Sequence, residues 1–517
     1  MAFGTLSSRV LGLVREMAFA ALFDRAVTDA WIAAFRLPNL FRRLLGEGSL
    51  SVSFVPVFVE ARLQDPGANG GEGVRAANLA NGFFTLLLGF LTVLTVLGIL
   101  FPEPILQMVL GPPYVAQTEK FELTVRLARI MFGFVFLISL YAYFMGILNA
   151  LGIYGLPAMA PTLFNVAMIV STLLPPAWFP SPGDGLAWGV IAGGFLQMAI
   201  LVPALAKRGY LPKLAWPFGN KDIRHVLRNM VPGLIGLGLI QVTTIVNMRF
   251  ASELGEGPIS WIAWADRLLE LPLSLVSVSL GTALLPTLSG LWSQKRAREM
   301  SDTMNFLLRL NLFLCVGAAA GLYALSGPII ELLFERGRFT AVDTAATAGV
   351  LQIWALIMVP TACVRVLAPS YYAIKNTWFP ALVSVICLVV HIVLAPLLMA
   401  RWGLTGLNSS SLLSSSLNFV LLLSFYGWLV TGFAYGRVFL AFLKFLVPAA
   451  VMVAGLQLYW PLRAALGDSL FAKVFSLVGA VVVGGFVYAL VSRLLGLEEW
   501  HGTAERLLAK VRRRLKL

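Results

Sequence analysis

Apolar residues follow one another in long runs from the first positions to about residue 495, with only short polar connections between them. A helix that crosses a bilayer needs roughly 20 residues. Fourteen runs reach that length: 1–23, 28–61, 77–101, 123–149, 157–178, 186–205, 223–252, 259–292, 304–334, 344–374, 380–399, 407–428, 437–459 and 471–495. The longest exceed what a perpendicular span uses, so tilt or a protruding turn is expected in them. The pattern predicts an all-α polytopic membrane protein of about fourteen transmembrane helices.

Composition narrows this further. Of 517 residues, 59% are hydrophobic and 12% charged, and the mean hydropathy is +0.84. A soluble domain is about a quarter charged. A water-soluble enzyme, a disordered chain and a single-pass anchor are therefore excluded. The net charge of +14 would suit nucleic acid, but most Lys and Arg sit in short connections, where they orient a membrane protein. With the N-terminus in the cytoplasm, the cytoplasmic connections carry Arg62, Arg75, Lys207, Arg208, Lys213, Lys221, Arg224, Arg228, Lys295, Arg296, Arg298 and Lys375. The tail adds Arg506, Lys510, Arg512, Arg513, Arg514 and Lys516, while the opposite side has Arg25, Lys120, Arg336, Arg338, Arg401 and Arg463. This roughly three-to-one excess predicts that both termini are cytoplasmic, with no nucleic-acid partner. The basic tail, 498–517, reads either as an amphipathic helix on anionic lipid or as a solvated topogenic segment. Cys315, Cys363 and Cys387 lie inside apolar runs, and His225, His391 and His501 are scattered. They offer no metal spacing, disulfide framework or catalytic constellation, so no cofactor or metal is expected. The first run has no basic lead and no small-residue cleavage site, and it contains Arg9 and Arg15, so it reads as a span and not as a cleavable signal.

The chain also repeats itself. Trp31-Ile32-Ala33 recurs 230 positions later as Trp261-Ile262-Ala263, and the same offset pairs Leu45 with Leu275, Ser49-Leu50 with Ser279-Leu280, and Pro56 with Pro286. Ala150 and Pro157-Ala158 recur as Ala373 and Pro380-Ala381 at an offset of 223. Spans one to six then correspond to spans seven to twelve in the same orientation. The expected organisation is an N-terminal lobe at 1–206, a C-terminal lobe at 207–430, two appended spans at 431–497 and the tail. Two such six-helix lobes, related by a pseudo-two-fold axis, would enclose a central cavity of the kind in which transporters bind substrate.

Charges inside the spans supply the candidate chemistry. Arg9 and Arg15 lie in span one; Asp29, Arg36, Arg42, Arg43 and Glu47 in span two; Asp266, Arg267 and Glu270 in span eight; Arg249 and Arg365 in spans seven and ten. A central arginine costs about 2.5–3.5 kcal/mol on insertion scales, so these groups are expected to face protein or a wet cavity. Arg9 and Arg15 are six apart, about 240° around a regular helix, and do not share a face unless the helix bends near Gly12. Arg267 and Glu270 do share one. Pro38, before Asn39 and Arg42, should kink span two. A guanidinium stays protonated and forks onto phosphate oxygens, so several of them in a cavity suit a diphosphate or another polyanion. Asp29, Glu47 and Glu270 would then hold the arginines when the site is empty.

The segments Ser8-Arg9-Val10-Leu11-Gly12-Leu13-Val14-Arg15-Glu16, Thr28-Asp29-Ala30, Phe35-Arg36-Leu37-Pro38-Asn39-Leu40-Phe41-Arg42-Arg43, Gly46-Glu47-Gly48 and Phe54-Val55-Pro56 resemble the opening spans of the MurJ (MviN) family of lipid II flippases. Ala265-Asp266-Arg267-Leu268-Leu269-Glu270-Leu271-Pro272, Leu333-Phe334-Glu335-Arg336-Gly337-Arg338-Phe339-Thr340 and Val366-Leu367-Ala368-Pro369 extend the resemblance. It implies the MATE-like fold of the multidrug/oligosaccharidyl-lipid/polysaccharide exporters. It also implies a multi-pass protein of the bacterial inner membrane that moves undecaprenyl-diphosphate-linked disaccharide-pentapeptide to the periplasmic leaflet by alternating access. On this resemblance Arg9, Arg15, Arg42 and Arg267 bind substrate, while Ser8, Glu16, Asp29, Asn39, Glu47 and Glu270 support or gate the cavity. The last two spans would form a groove for the lipid tail. Expected partners are lipid II, the phospholipid bilayer and the peptidoglycan synthesis machinery, with the chain itself a monomer. The lead-in before span one is shorter than the family's usual one. Spans seven and eleven lack carboxylates, which leaves monovalent-cation coupling open; membrane potential is the candidate driving force. The competing readings are a flippase for another polyprenyl-diphosphate glycan and a multidrug exporter of the same fold. A membrane enzyme acting on lipid phosphate would need a Mg²⁺-binding carboxylate cluster or a His–acid pair, and neither is visible; a non-transporting scaffold would carry the buried arginines at a cost with no return.

Overall fold

The computed structural model describes residues 2–44, 50–65, 73–274 and 279–500, and among these every regular element is helical. In chain order they are α1 (Ala2–Leu22), α2 (Arg25–Phe41), α3 (Leu50–Gln64), α4 (Val74–Leu100), α5 (Pro102–Val109), α6 (Pro112–Val115), α7 (Thr118–Met131), α8 (Gly133–Ala150), α9 (Gly155–Leu173), α10 (Asp184–Ala199), α11 (Val202–Lys207) and α12 (Lys221–Ser252). They continue as α13 (Pro258–Leu273), α14 (Ser279–Ser293), α15 (Ala297–Ala324), α16 (Ser326–Phe334), α17 (Ala341–Ala373), α18 (Trp378–Leu429), α19 (Tyr435–Leu456), α20 (Tyr459–Leu466) and α21 (Leu470–Leu494).

Among the described residues nine helical segments are long and apolar enough to cross a membrane. They correspond to predicted spans three to six and nine to fourteen, with eleven and twelve merged in α18. The four left out are spans one, two, seven and eight. Pro38 lies inside α2, within predicted span two, and Pro272 near the end of α13, within span eight. Span four breaks at Phe132 between α7 and α8. Apolarity is continuous through that break, so it could not report it. Conversely, α18 doubles back at Gly403, whose φ of 53° and ψ of −128° leave the helical region. The two arms pair as a hairpin, with His391 opposite Ser410 and Ser414 bonded to the Cys387 carbonyl.

The helix boundaries carry the repeat. α1 and α12 end 230 positions apart, and α3 and α14 end 229 apart. The starts of α4 and α15, of α7 and α17, and of α9 and α18 all differ by 223, as do the ends of α8 and α17. α3 packs on α8 as α14 packs on α17.

The chain forms two compact units, residues 1–260 with 336–339, and residues 261–335 with 340–517. In the first, α1 lies on α9, α9 on α10, α2 on α7, and α12 on α3 and α4. Phe54, Phe58, Phe83 and Tyr143 stack at its centre, and the Tyr143 hydroxyl donates to the Ala80 carbonyl at 2.7 Å. In the second unit α15, α17, α18, α19 and α21 share one apolar core. Tyr488 of α21 lies across Gly317 of α15, where a Cβ would come within 2.9 Å of its ring, and its hydroxyl bonds the Phe313 carbonyl. Large apolar side chains such as Phe439, Phe471, Val482 and Phe486 are exposed, as lipid-facing surface should be.

Candidate functional site

α1 is continuous through Gly12, and its two arginines separate as the 3.6-residue period demands. Arg9 is exposed, whereas Arg15 is buried. Arg15 reaches the Glu16 carboxylate at 2.5 Å and the Asn165 Oδ1 of α9 at 3.1 Å, with its guanidinium 5.8 Å from the Phe164 ring centre. The same Asn165 donates to the Ser8 carbonyl at 2.9 Å and to its hydroxyl at 3.3 Å. One α9 amide thus fixes both α1 positions. Arg9 and Ser8 line a cavity of about 410 Å³ with Tyr141, Asn149, Tyr154 and Pro157. Arg15 is buried and paired, whereas exposed Arg9 lines the cavity.

In α2, Pro38 lacks the amide hydrogen a regular helix uses, and the segment after it, Arg42–Leu44, winds more loosely than an α-helix. This turn lets Arg42 Nε donate to Asn39 Oδ1 at 2.8 Å. Glu47 lies outside the described residues. In the second unit Arg267 and Glu270, half-exposed on one face of α13, approach to 3.8 Å. At that distance and exposure the pair is weak.

Asp29 behaves differently from its sequence reading. It was expected to neutralise an arginine, but its fully buried carboxylate takes Lys120 Nζ at 3.1 Å and the Gly257 amide at 2.7 Å on Oδ2, and the Ser260 amide at 3.0 Å and hydroxyl at 2.6 Å on Oδ1. Gly257 and Ser260 flank Pro258, the first residue of α13, so Asp29 satisfies amides that the helix start leaves free and sits at the positive end of its dipole. Lys120, read from sequence as a solvated connection charge, is buried instead, with its ammonium 4.7 Å from the Tyr114 ring centre. Burial pushes the Tyr114 phenol well above its usual range. Two neighbouring ties occupy equivalent places in the repeat. Arg338 donates its amide to the Ala21 carbonyl at 2.8 Å and pairs with Asp24 at 3.2 Å. Ser252 Oγ accepts the Gly111 amide at 2.7 Å, and Arg249 reaches the Met108 and Leu110 carbonyls at 3.2 Å. Gly337, with φ of 60°, permits the first of these; its Cβ would collide with the Ala21 carbonyl.

The structure therefore gathers Ser8, Arg15 and Glu16 around Asn165, pairs Asn39 with Arg42 and Arg267 with Glu270, and sets Asp29 apart with Lys120 and Ser260. Sequence reasoning did not find Asn165, Lys120 or Ser260. The clue available was weak: Ser260 immediately precedes the repeated Trp-Ile-Ala motif.

Comparison with known proteins identifies the family and the fold. Residues 19–475 match the family model "Lipid II flippase MurJ". A probable lipid II flippase MurJ of Bdellovibrio bacteriovorus is 50% identical over 499 residues, covering 96% of this chain and 94% of that protein. The lipid II flippase MurJ of Burkholderia cenocepacia is 34% identical over 466 residues, covering 88% of each. A solved lipid II flippase MurJ in an inward closed conformation superposes with a TM-score of 0.76 at 25% identity, over 96% of this chain and 99% of that one. An inward-facing MATE multidrug transporter, at 14% identity and a TM-score of 0.70 over 84% of this chain and 99% of its own, shares the fold. An all-helical, multi-pass membrane protein with the MATE-like fold, this chain belongs to the MurJ lipid II flippase family.

Proposed function

We propose that this chain is a transporter that carries lipid II, undecaprenyl-diphosphate-linked disaccharide-pentapeptide, from the cytoplasmic to the periplasmic leaflet of the bacterial inner membrane. The single observation that carries this is 50% identity to a probable lipid II flippase along 96% of the chain. The placement of the arginines supports it. Arg9 meets a cavity, Arg42 is oriented by Asn39, and Arg267 is half-exposed on α13. Such groups recognise the diphosphate, the part of the substrate that all its variants share. Arg15 contributes shape and field, its own charge being already met by Glu16. In this reading fourteen spans form two six-helix lobes, 1–206 and 207–430, which alternate access to the cavity. Spans 431–497 hold the lipid tail, both termini are cytoplasmic, and the protein works as a monomer beside the peptidoglycan synthesis machinery.

Asp29 is the outer latch. With Lys120 on one side and the start of α13 on the other, it holds periplasmic ends of helices together while the site faces the cytoplasm. Opening outward requires those bonds to break, and diphosphate binding offsets this by cancelling repulsion among the arginines. No covalent step is involved. The test is lipid II flipping in cells depleted of their own flippase and supplied with this chain. Flipping should be restored by the wild type and abolished by Arg267→Ala; full transport by that variant would remove the role assigned to Arg267. The same arginines would serve another polyprenyl-diphosphate glycan, and failure of lipid II flipping by the wild-type chain would favour that alternative.

A further inference from the structure

Residues 208–220, between α11 and α12, form no helix but a strap laid along α4. Its attachment is built in detail. Tyr210 is buried edge-on against Phe58. The Lys213 amide donates to Asn81 Oδ1 at 2.7 Å, and the Ala215 amide to Thr85 Oγ1 at 3.0 Å. Between those two anchors lies Gly82, whose missing Cβ makes room for Ile223 (2.7 Å from its position), Pro217 (3.5 Å) and the Trp216 carbonyl (3.7 Å). Pro212 and Pro217 fix the backbone torsions and favour an extended path.

The strap's outer side is unusual for a polar connection. Trp216 is 80% exposed and Phe218 66%, and their rings meet edge to face at 5.2 Å. Around them stands a basic surface. Lys207, Arg208 and Lys213 are exposed, and α12 begins with Lys221, Arg224 and Arg228 on one exposed face at helical spacing. The acid in this stretch, Asp222, is already engaged by Arg75, with bonds of 2.7 and 2.8 Å. The level of this surface follows from connectivity. It leaves the end of one membrane-crossing segment, Asp184–Lys207, and runs beside the first turns of another, Val74–Leu100. That places it where the bilayer meets water, the depth at which tryptophan and basic side chains are favoured.

We infer that residues 207–228 are a binding surface for anionic phospholipid, with Trp216 and Phe218 entering the acyl boundary and the surrounding lysines and arginines holding headgroup phosphates. The opposing charge and the interfacial depth favour lipid over a soluble protein partner. The surface includes none of Arg9, Arg15, Arg42 and Arg267, so the inference stands whatever glycan is carried.

The test uses the full chain in nanodiscs of phosphatidylcholine containing one-fifth phosphatidylglycerol. Bromine is placed on the acyl chains of one lipid or the other at equal mole fraction, and tryptophan fluorescence is read. Brominated phosphatidylglycerol should quench more than brominated phosphatidylcholine. The excess should fall at least twofold in Trp216→Phe and in the combined variant Arg208→Gln, Lys213→Gln, Arg224→Gln, Arg228→Gln. Equal quenching by the two lipids in the wild type, which a protein-docking role would give, overturns the inference without recourse to any variant. So does an excess that Trp216→Phe leaves intact.

Discussion

At Asp29 a carboxylate without solvent contact accepts four donors, one of them the buried ammonium of Lys120. Asp29→Asn removes the charge while keeping the shape, so it strands Lys120 and turns one acceptor into a donor facing donors. Breaking a buried pair in this way costs about 3–5 kcal/mol. Thermal unfolding in detergent should show a large loss for Asp29→Asn, a smaller one for Lys120→Met, and a double variant less damaged than the sum, since the two share one interaction. Simple addition in that cycle would mean that the pair is not coupled. Asn165 gives a second case. Asn165→Ala leaves Arg15 and Ser8 without the amide that orients them, a loss of about 1–3 kcal/mol for buried polar groups. Lipid II flipping by that variant should drop several-fold while the protein remains folded. The arginines and Asp29 were legible in the sequence because charge inside an apolar run is conspicuous. Lys120 and Asn165 were not, because their partners are 91 and 150 positions away and nothing local announces such a pairing.

Helices repeat their boundaries more faithfully than their residues. Offsets of 223 to 230 recur from α1 through α18, though few side chains coincide. The sequence disclosed the repeat at Trp31 and Trp261 and at Pro56 and Pro286, where bulk or a missing amide hydrogen constrains the backbone. It hid the break between α7 and α8 at Phe132, since residues on both sides are equally apolar. Pro38 in α2 leaves the Ala34 carbonyl without its usual bond, shortly before the looser winding at Arg42–Leu44. Pro38→Ala should therefore tighten the loose winding at Arg42–Leu44, turn the Arg42 guanidinium away from Asn39, and lower flipping with little change in melting temperature. Another tie between elements is pH-dependent. The Arg75 guanidinium at the start of α4 holds the Asp222 carboxyl of α12 below its usual range. A depressed acid stabilises the fold above its unfolded pKa, about 3.9, and loses that contribution as pH falls through the folded value. Wild type should thus exceed Asp222→Asn in stability at neutral pH, by no more than about 1 kcal/mol given its partial exposure. The two melting curves should converge below about pH 4.

Along the sequence, charge inside the predicted spans gathers in spans one, two and eight, with Arg9 and Arg15, then Asp29, Arg36, Arg42 and Arg43, then Asp266, Arg267 and Glu270; spans two and eight are counterparts in the repeat. Arg365 of span ten is a further case. Lipid cannot solvate charge there, so these spans are the ones expected to face water and substrate. A cavity of this kind with no diphosphate in it carries net positive charge, and the inside-negative potential of a bacterial membrane pulls that charge toward the cytoplasm. One elementary charge crossing 100 mV is worth about 2.3 kcal/mol, or roughly 50-fold in a rate at about 1.36 kcal/mol per tenfold. The return of the empty transporter should then be the voltage-sensitive step, whereas a loaded cavity, neutralised by diphosphate, should barely respond. In proteoliposomes with the potential clamped by potassium and valinomycin, steady-state lipid II flipping should rise with inside-negative voltage, by up to about 50-fold per 100 mV for a full charge and less for a partial crossing. A single turnover started from preloaded protein should be nearly flat over the same range. Voltage dependence in the single turnover and none at steady state would mean that the arginines are neutralised before substrate arrives, as Glu16 already does for Arg15, and that the energy for resetting comes from elsewhere.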